Sequence, residues 1–255
     1  MYFFLNIRQY FSQIHMDNTK PDIATRRTVH ISFAIIYYKY ISGKDLWLMK
    51  KAKPRHIGVI PDGNRRWAAE HGLNKEDGYA HGLAPGLRLM RQAKNLGIEE
   101  LTYYGFTVDN CKRPKAQFEA FRVACVKAVQ LLTKEGADLL ILGDQSSKCF
   151  PVELAPYTAR TSINGGGIKL NFLVNYGWQW DLAHIRQDGT PYSADVSRMD
   201  LIIRWGGMRR LSGFLPIQSV YSDFYVIDRY WPDYQDSDLR DAINWYAHQD
   251  VTLGG

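Results

Sequence analysis

The sequence predicts an α/β fold in which a mostly parallel central sheet is flanked by helices. Short, nearly continuous apolar runs alternate with longer segments of helical periodicity over most of the chain. Apolar strands separated by helices are typical of a parallel sheet that is covered on both faces. With 255 residues, 45% of them apolar, the chain can bury one substantial core.

Five strands are predicted in this pattern. They are HIGVIP (56–61), ELTYYGF (100–106), LLILGD (139–144), IKLNFLVNYG (168–177) and DLIIRW (200–205). In open parallel sheets, ligands bind beyond the carboxyl ends of the strands. We therefore expect the ligand-binding and catalytic residues among those that follow each strand.

Helical segments lie between and after these strands. The predicted helices cover residues 81–97, 113–136 and 180–185, with a weaker one near 152–164 and a closing one at 237–249. Pro114 is a favoured first-turn residue for the second of these helices, and Ser237 is the expected N-cap of the last. Residues 1–53 are aromatic and basic, and we expect a helical or irregular extension there, ahead of a main domain at 54–255.

The composition of the chain limits the kinds of binding partner and the cellular compartment that we expect. A net charge of +6 favours anionic partners, which include phosphorylated small molecules, an anionic membrane surface and nucleic acid. The three cysteines form neither a C-x-x-C pair nor an even disulfide framework, so we expect a reducing, cytoplasmic setting and no zinc site. Apolar stretches such as residues 33–38 are far shorter than the ~20 residues of a spanning helix, so any membrane contact is expected to be peripheral.

The segment PDGNRRW directly follows the first predicted strand. Gly63 allows a backbone excursion, after which the N–H groups of Asn64, Arg65 and Arg66 would point from a helix N-terminus towards an anion. The two arginines add charge-assisted donors that suit phosphate. Asp62 repels phosphate unless a cation lies between them, which indicates Mg²⁺. The alternative is an Asx-type turn that caps an exposed basic helix.

Two further predicted strands end in similar segments. Thr107, Asp109, Asn110 and Arg113 follow the second strand, and Arg204, Arg209, Arg210 and Ser212 surround two glycines at the end of the fifth. Arginines scattered over a surface would not collect at three strand exits. We therefore expect these segments to converge on one edge of the sheet. No dinucleotide-binding or Walker A pattern is present, so a nucleotide is not indicated.

These motifs, in this order, are similar to those of a known family. DGNRRWA, the His81-Gly82 pair, GFTVDNCKRP, NYGWQWD and RWGGMRRLSGFLPIQSVYSDFYVIDRYWPD resemble the cis-prenyltransferases, the undecaprenyl and dehydrodolichyl diphosphate synthases, over residues 54–255. The resemblance implies that the enzyme joins an allylic diphosphate to isopentenyl diphosphate with Mg²⁺, forming a Z double bond. It also implies that helices 81–97 and 113–136 wall an apolar tunnel, although their apolar stripes alone fit ordinary core equally well.

The same resemblance implies roles for individual residues. Asp62 would hold Mg²⁺ and assist departure of the allylic diphosphate, and Asn110 would act near the reacting carbons. The residues implied to cradle the allylic diphosphate are Gly63, Asn64, Arg65, Arg66, His81 and Arg113. Those implied to contact isopentenyl diphosphate are Trp67, Arg204, Arg210 and Ser212, and Phe106 and Thr107 complete the substrate-binding set. Asp223 occupies the position of a metal-binding Glu.

Several positions depart from the family pattern, mostly on the acceptor side. Cys111 replaces a Trp, Met208 a Glu, Asp77 an Arg and Arg65 a Gly, and Thr252-Leu253-Gly254 lacks the Arg of the R-x-G motif. We therefore expect an enzyme that activates an allylic diphosphate but is less strict about its acceptor. A short product, or transfer to an acceptor such as an alcohol, would follow. The predicted helix at 113–136 is short for a long-chain enzyme, which also indicates a shallow tunnel.

Alternatives remain open at this point. The expected assembly is a homodimer, but a heterodimer is also compatible, in which this chain is the catalytic subunit and a partner supplies the R-x-G motif. A non-catalytic regulatory subunit is the alternative from another class, although such chains usually lose the D-G-N motif that is present here. A nucleic-acid-binding module is suggested only by the basic pI, and we expect no nucleic acid partner.

Overall fold

A seven-stranded sheet forms the centre of residues 53–250, the part of the chain that the computed structural model describes. The strands are β1 (His56–Ile60), β2 (Glu100–Thr107), β3 (Ala137–Leu142), β4 (Thr161–Ile163), β5 (Ile168–Tyr176), β6 (Leu201–Trp205) and β7 (Asp223–Ile227). Their order across the sheet is β4-β3-β5-β2-β1-β6-β7. Every neighbouring pair is parallel except β3 and β4. The predicted fold class and the five predicted strands are confirmed.

Six α-helices accompany the sheet in these residues. They are α1 (Asn64–Glu70), α2 (Gly78–His81), α3 (Leu83–Asn95), α4 (Lys115–Thr133), α5 (Trp178–Ala183) and α6 (Asp236–Tyr246). The predicted helix at 81–97 is present as α3, and Gly82 separates it from the short α2. The helix predicted at 113–136 is α4, for which Pro114 is the N-cap rather than the first helical residue.

Besides the position of Pro114, three details of the sequence prediction are wrong. Residues Val152–Tyr157 form a 3₁₀ helix that contains Pro156, and the edge strand β4 follows, so there is no α-helix near 152–164. Strand β7 was not predicted. The N-cap of α6 is Gln235 and not Ser237, because the backbone N–H of Gln235 donates to the Asp238 carboxylate at 3.0 Å in a capping box.

The core lies on both faces of the sheet, because successive strand residues point to opposite sides. On β3, Leu139 and Ile141 pack into the larger core beneath α3, α4 and α6. Leu140 and Leu142 pack into a smaller core on the other face, which is covered by Trp180 of α5 and by loop residues such as Phe214. Helices therefore cover mainly one face, while loops cover much of the other.

The register of the three central strands positions the site. β1 lies between β2 and β6, with Val59 beside Tyr103 and Ile60 beside Arg204. Because these strands are parallel, the segments that follow them leave the sheet at the same edge. This arrangement places three motif-bearing loops side by side, as the sequence predicts.

A buried polar network lies at the opposite edge of the sheet, where the central strands begin. His56 is 2% exposed, and its Nε2 lies 2.7 Å from the Thr102 hydroxyl. The side-chain amide of Asn171 donates to Thr102 and to Glu100, at 2.8 Å and 2.7 Å. Burial lowers the pKa of His56, and the nearby Glu100 carboxylate opposes this shift.

Between residues 53 and 250, no helix combines the length and the apolar character needed to cross a bilayer. The predicted N-terminal extension and the Thr252-Leu253-Gly254 segment lie outside the described residues. The predicted domain boundary between residues 53 and 54 therefore stays an expectation.

Candidate active site

A cleft of about 570 Å³ opens at the carboxyl edge of β1, β2 and β6. Its walls come from the loops that follow these three strands, so the predicted convergence of the loops is observed. The cleft gathers eleven of the fifteen residues predicted as catalytic, substrate-binding or metal-binding: Asp62, Gly63, Asn64, Arg65, Arg66, Thr107, Asn110, Arg113, Arg204, Arg210 and Ser212.

The cleft carries a strong positive charge. Its lining includes six cationic side chains, namely Arg65, Arg66, Lys75, Arg113, Arg204 and Arg210, and two carboxylates, Asp62 and Asp109, which gives a net charge of +4. A concave surface lined by one sign of charge focuses the field and attracts the opposite charge. The cleft is therefore suited to a small, highly charged anion.

Asp62 is the carboxylate at the centre of this charge. Its Oδ1 accepts the backbone N–H of Gly63 at 2.6 Å. Its Oδ2 lies 2.7 Å from Nη2 of Arg204 and 3.4 Å from Nη2 of Arg66. About one third of the Asp62 side chain is exposed, so the carboxylate can still be reached from the cleft.

Arg204 is held rigidly beneath Asp62. It lies on β6, and its side chain is only 5% exposed. Its Nη1 donates to the Ser212 hydroxyl at 3.0 Å and to the carbonyl oxygen of Arg210. Since both of its terminal nitrogens are used within the protein, Arg204 joins Asp62 to the loop that follows β6.

Arg66 occupies a more open position on the other side of Asp62. Its guanidinium lies 5.0 Å from the centre of the Tyr230 ring, and the Tyr230 hydroxyl donates to Glu70 at 2.6 Å. A Cβ atom on Gly206 would lie 2.6 Å from Nη2 of Arg66, and Gly206 has a φ of +86°. Only glycine therefore leaves room for Arg66 in this position.

Asn110 is oriented by the turn that follows β2. The backbone N–H of Thr107 donates to the Asn110 side-chain carbonyl at 3.0 Å, and the Thr107 side chain accepts from the Asn110 backbone in a capping box. Because the carbonyl oxygen of Asn110 accepts this bond, its amide nitrogen is the side-chain atom left to donate to a ligand in the cleft that Asn110 lines. Thr107 is thus a positioning residue for Asn110.

Arg113 completes the side of the cleft next to α4. Its Nη1 donates to the Tyr79 hydroxyl at 2.7 Å, and its guanidinium lies 5.3 Å from the centre of the Phe121 ring. Burial lowers the pKa of Arg113, and the charge of the neighbouring Arg65 adds to this effect. An anion bound here would relieve both penalties on the charged guanidinium.

A second, apolar cavity adjoins the cleft. It has a volume of about 80 Å³, and it shares Pro61, Asn64, Tyr79, Gly105 and Phe121 with the cleft. Its inner wall includes Ala128 and Leu132 of α4, together with Phe172 and Trp231. The anionic and the apolar parts of one ligand could therefore be accommodated side by side.

Four residues from the predicted site lie outside the cleft. The Trp67 ring stacks on His71 and makes a tilted contact with His81, with centroids 4.1 Å and 4.6 Å apart, and its Nε1 donates to Asp233. Phe106 is fully buried in the core. The cleft lining thus includes neither Trp67, His81 nor Phe106.

Asp223 is the fourth of these residues, and a metal site shared with Asp62 of the same chain is wrong. Asp223 begins β7 and pairs with Leu201, whereas Arg204, which contacts Asp62, lies three residues further along β6. Three strand residues span roughly 10 Å. The two carboxylates therefore lie at opposite ends of the strands and cannot hold one ion together.

Sequence reasoning missed two tyrosines in the cleft. Tyr79 receives the hydrogen bond of Arg113, and the Tyr104 hydroxyl donates to the backbone carbonyl of Ser212 at 2.8 Å. Burial raises the pKa of Tyr104 to about 12. The only available indication for Tyr104 was its place at the exit of β2, beside Gly105, because the Ser212 contact joins residues far apart in sequence.

Three residues that depart from the family pattern, Asp77, Met208 and Cys111, lie at different positions relative to the cleft. Asp77 is exposed, accepts the backbone N–H of Asn74 at 3.1 Å and does not line the cleft, so it does not oppose an anion there. Met208 lines the cleft, next to Arg210 and Ser212 in the loop that follows β6. Cys111 donates its thiol to the Asn175 side chain at 3.3 Å, behind the turn that carries Asn110.

The donor set at Asp62 fits a magnesium ion that is bound together with a substrate. Among residues 53–250, no group of three or more His, Cys, Asp or Glu side chains is placed to hold a metal ion. Mg²⁺ is typically bound by one or two carboxylates together with phosphate oxygens and water. A single carboxylate beside an anion-binding cleft matches that pattern.

Comparisons with known proteins agree with the sequence motifs. A family model described as putative undecaprenyl diphosphate synthase matches residues 60–254. The ditrans,polycis-undecaprenyl-diphosphate synthase of Escherichia coli K12 is 33% identical over 228 residues, which cover 79% of this chain and 90% of that protein. The isoprenyl transferase of Ralstonia nicotianae is 30% identical over 226 residues, which cover 79% of this chain and 87% of the relative.

A solved structure has the same fold. The lavandulyl diphosphate synthase of Lavandula x intermedia, crystallised with dimethylallyl diphosphate, superposes with a TM-score of 0.66 at 23% sequence identity. The match covers 80% of this chain and 99% of the lavender protein.

Proposed function

Because the chain belongs to the undecaprenyl diphosphate synthase family and is a prenyl-transferring enzyme of the cis-prenyltransferase type, we propose a specific reaction for it. The enzyme ionises an allylic isoprenoid diphosphate in the cationic cleft and transfers the prenyl group to isopentenyl diphosphate or to a related acceptor. The observation that carries this proposal is the junction of the cationic cleft with an apolar cavity, with Asp62 near their boundary.

Departure of the diphosphate is the step that the cleft is best suited to assist. As the allylic C–O bond breaks, negative charge develops on the diphosphate. Arg65, Arg66 and Arg113 offer cationic donors to this charge, and donors that already contact the diphosphate before the C–O bond breaks lower the barrier because they need little further reorganisation. Loss of one such donor typically costs ~3 kcal/mol, about a hundredfold in rate.

Asp62 is the proposed ligand of Mg²⁺, through a carboxylate oxygen. When bound, the ion would supply positive charge to the diphosphate oxygens. Asp62 also keeps Arg204 in place, because Arg204 donates to its Oδ2. The carboxylate therefore connects the leaving-group half of the cleft to the acceptor half.

The acceptor is proposed to bind on the side of the cleft that follows β6. Arg210 and Ser212 line this side, and Tyr104 fixes the Ser212 backbone. Asn110 also lines the cleft, and its amide nitrogen is the proposed donor to the acceptor. Met208 contributes no charge to this side, which supports a looser selection of the acceptor than of the allylic diphosphate.

A short product is supported by the apolar cavity. Its volume of about 80 Å³ is smaller than the ~150 Å³ of an engineered cavity that holds one benzene ring. An isoprene unit has almost as many carbons as benzene, so each added unit requires the walls near Leu132 and Trp231 to move. We propose that elongation stops after few condensations.

A homodimer is the proposed assembly. Trp178 and Leu182 lie one turn apart on α5, and Ile185 lies just beyond its end; these side chains are 42%, 47% and 50% exposed. An exposed apolar face of this kind marks a candidate interface. If the protein is instead the catalytic subunit of a heteromer, it will be nearly inactive when purified alone.

Product analysis tests the reaction class. Radiolabelled dimethylallyl, geranyl, farnesyl and geranylgeranyl diphosphates are incubated with the enzyme, with and without isopentenyl diphosphate, and the products are separated by chromatography. We expect short Z-prenyl products with isopentenyl diphosphate, and a prenyl ether when an added alcohol replaces isopentenyl diphosphate as the acceptor. Strong preference for isopentenyl diphosphate with long-chain products would defeat the proposed acceptor and length, while absence of any prenyl transfer would defeat the enzyme activity of the isolated chain.

A pair of variants tests the role of Asp62 in this assay. Asp62→Asn should abolish turnover with every acceptor. Asp109→Asn removes the other carboxylate of the cleft, whose partner is the exposed Lys112, and should have a much smaller effect. Equal losses in the two variants would show that general charge, and not the position of Asp62, matters.

A further inference from the structure

We infer that Arg66 gates the access of a divalent cation to Asp62, so that the cation binds tightly only after a diphosphate has drawn Arg66 away from the carboxylate. This inference rests on the proposed function, from which it takes the diphosphate site and the metal ligand. It adds to the proposed function an order of binding, with the diphosphate before the cation, that the positions of the residues do not by themselves require.

The Asp62 carboxylate is already well supplied with donors. Its Oδ1 accepts from the Gly63 amide, and its Oδ2 faces the guanidinium groups of Arg204 and Arg66. A carboxylate has about four acceptor positions, so three of them are directed at protein groups. A divalent cation that approaches Oδ2 meets two positive charges at short range, which lowers its affinity for the protein alone.

Arg66, rather than Arg204, is the partner that can leave. Arg204 is 5% exposed and is tied to Ser212 and to the Arg210 carbonyl in addition to Asp62. Arg66 is 37% exposed, and its distance of 3.4 Å from Oδ2 is longer than a good charge-assisted hydrogen bond. Its other neighbours in the described part of the chain include the Tyr230 ring and the backbone beside Gly206, and neither neutralises its charge.

A diphosphate is the ligand that would move Arg66. Guanidinium groups bind phosphate oxygens in pairs of parallel hydrogen bonds, which is a better arrangement than the single long contact with Asp62. The net charge of +4 in the cleft attracts a diphosphate and repels a free cation. Once Arg66 has turned to the diphosphate, Asp62 and the phosphate oxygens together offer a dication site. The two ligands must then raise each other's affinity equally.

Mn²⁺ binding measured by equilibrium dialysis tests the gate without any turnover. Mn²⁺ binding is measured for the protein alone and for the protein with inorganic pyrophosphate. Pyrophosphate itself binds Mn²⁺, so the amount of this complex is measured in the protein-free chamber and subtracted. The informative variant is Arg66→Gln. Arg65→Gln is the matched control, because Arg65 lines the same cleft but its Nη1 donates to Gln117, and the ion-pair partners of Asp62 among the described residues are Arg66 and Arg204. Asp62→Asn identifies the binding that belongs to this site.

The gate predicts a specific pattern of affinities. Without pyrophosphate, Arg66→Gln should bind Mn²⁺ about tenfold more tightly than the natural protein, as expected when a nearby like charge is removed at a partly exposed site. Arg65→Gln should differ from the natural protein by less than about threefold, because screening weakens the more distant charge. Pyrophosphate should strengthen Mn²⁺ binding strongly in the natural protein and much less in Arg66→Gln.

Two contrary results have different meanings. If the natural protein and Arg66→Gln bind Mn²⁺ equally at Asp62, or if Arg65→Gln gains as much as Arg66→Gln, the gate is refuted while the proposed reaction stands. If no Asp62-dependent Mn²⁺ binding occurs with pyrophosphate in any of the proteins, Asp62 is not the metal ligand, and both the gate and that part of the proposed function are overturned.

Discussion

The ion pair between Asp62 and Arg204 predicts that stability and catalysis can be separated by two substitutions. Asp62→Ala removes the carboxylate partner of a guanidinium that is 5% exposed. Breaking a fully buried pair costs about 3–5 kcal/mol, because one charge stays buried without compensation. Since one third of the Asp62 side chain is exposed, the pair is partly solvated, and we expect a loss of about 2–3 kcal/mol.

The second substitution removes the stranded charge. Arg204→Met replaces the guanidinium by an apolar chain of similar length, and apolar replacements of buried ion pairs are often neutral or stabilising. The double variant Asp62→Ala/Arg204→Met should therefore regain most of the lost stability. It should remain inactive, because the proposed metal ligand is still missing.

Urea unfolding and thermal unfolding, read together with prenyl-transfer rates, check this prediction. A loss of about 2–3 kcal/mol corresponds to a decrease in Tm of about 4–12 °C for a protein of this size. Asp109→Ala, which removes the exposed partner of Lys112, should leave the unfolding midpoint unchanged. The reasoning is refuted if Asp62→Ala is as stable as the natural protein, or if the double variant is no more stable than Asp62→Ala.

Three further predictions concern the acceptor loop, the apolar cavity and the buried histidine. Tyr104→Phe removes the hydrogen bond to the Ser212 carbonyl. It should raise KM for isopentenyl diphosphate by about 3- to 10-fold, as expected for the loss of one hydrogen bond, and should change KM for the allylic substrate little. An equal rise of both KM values would contradict this prediction. Leu132→Ala enlarges the apolar cavity and should shift the products to longer chains in chromatography, whereas unchanged chain lengths would separate this cavity from elongation. Because burial lowers the pKa of His56, the unfolded state takes up the proton first, so stability should fall as pH drops below the ordinary value of 6.5. In urea titrations, His56→Gln should reduce the dependence of the unfolding free energy on pH between pH 6.5 and the lower range in which Glu100 titrates. An unchanged dependence would show that other groups cause it.

The position of the site could be predicted from the sequence because it follows from strand order. Parallel strands leave a sheet at the same edge, so the polar segments after β1, β2 and β6 were expected together, and Asp62, Asn110 and Arg204 are found there. Local patterns were sufficient for this conclusion. No knowledge of side-chain directions was needed.

The parts that could not be predicted depend on long-range packing. Trp67 lies on α1 directly after the arginines, but its ring turns to Asp233 and His81, far away in sequence. Asp223 begins a strand that was not predicted, and only the register of β7 against β6 shows that it lies far from Asp62. Tyr104 gained its role from a contact with a loop more than a hundred residues away.

A crystal structure of the protein with a non-hydrolysable allylic thiolodiphosphate and Mg²⁺ tests the central claim most directly. We predict that the diphosphate lies against Arg65, Arg66 and Arg113, with Mg²⁺ between it and Asp62 and the prenyl chain in the apolar cavity. A diphosphate bound elsewhere on the protein, or a prenyl chain that points away from that cavity, would contradict the account.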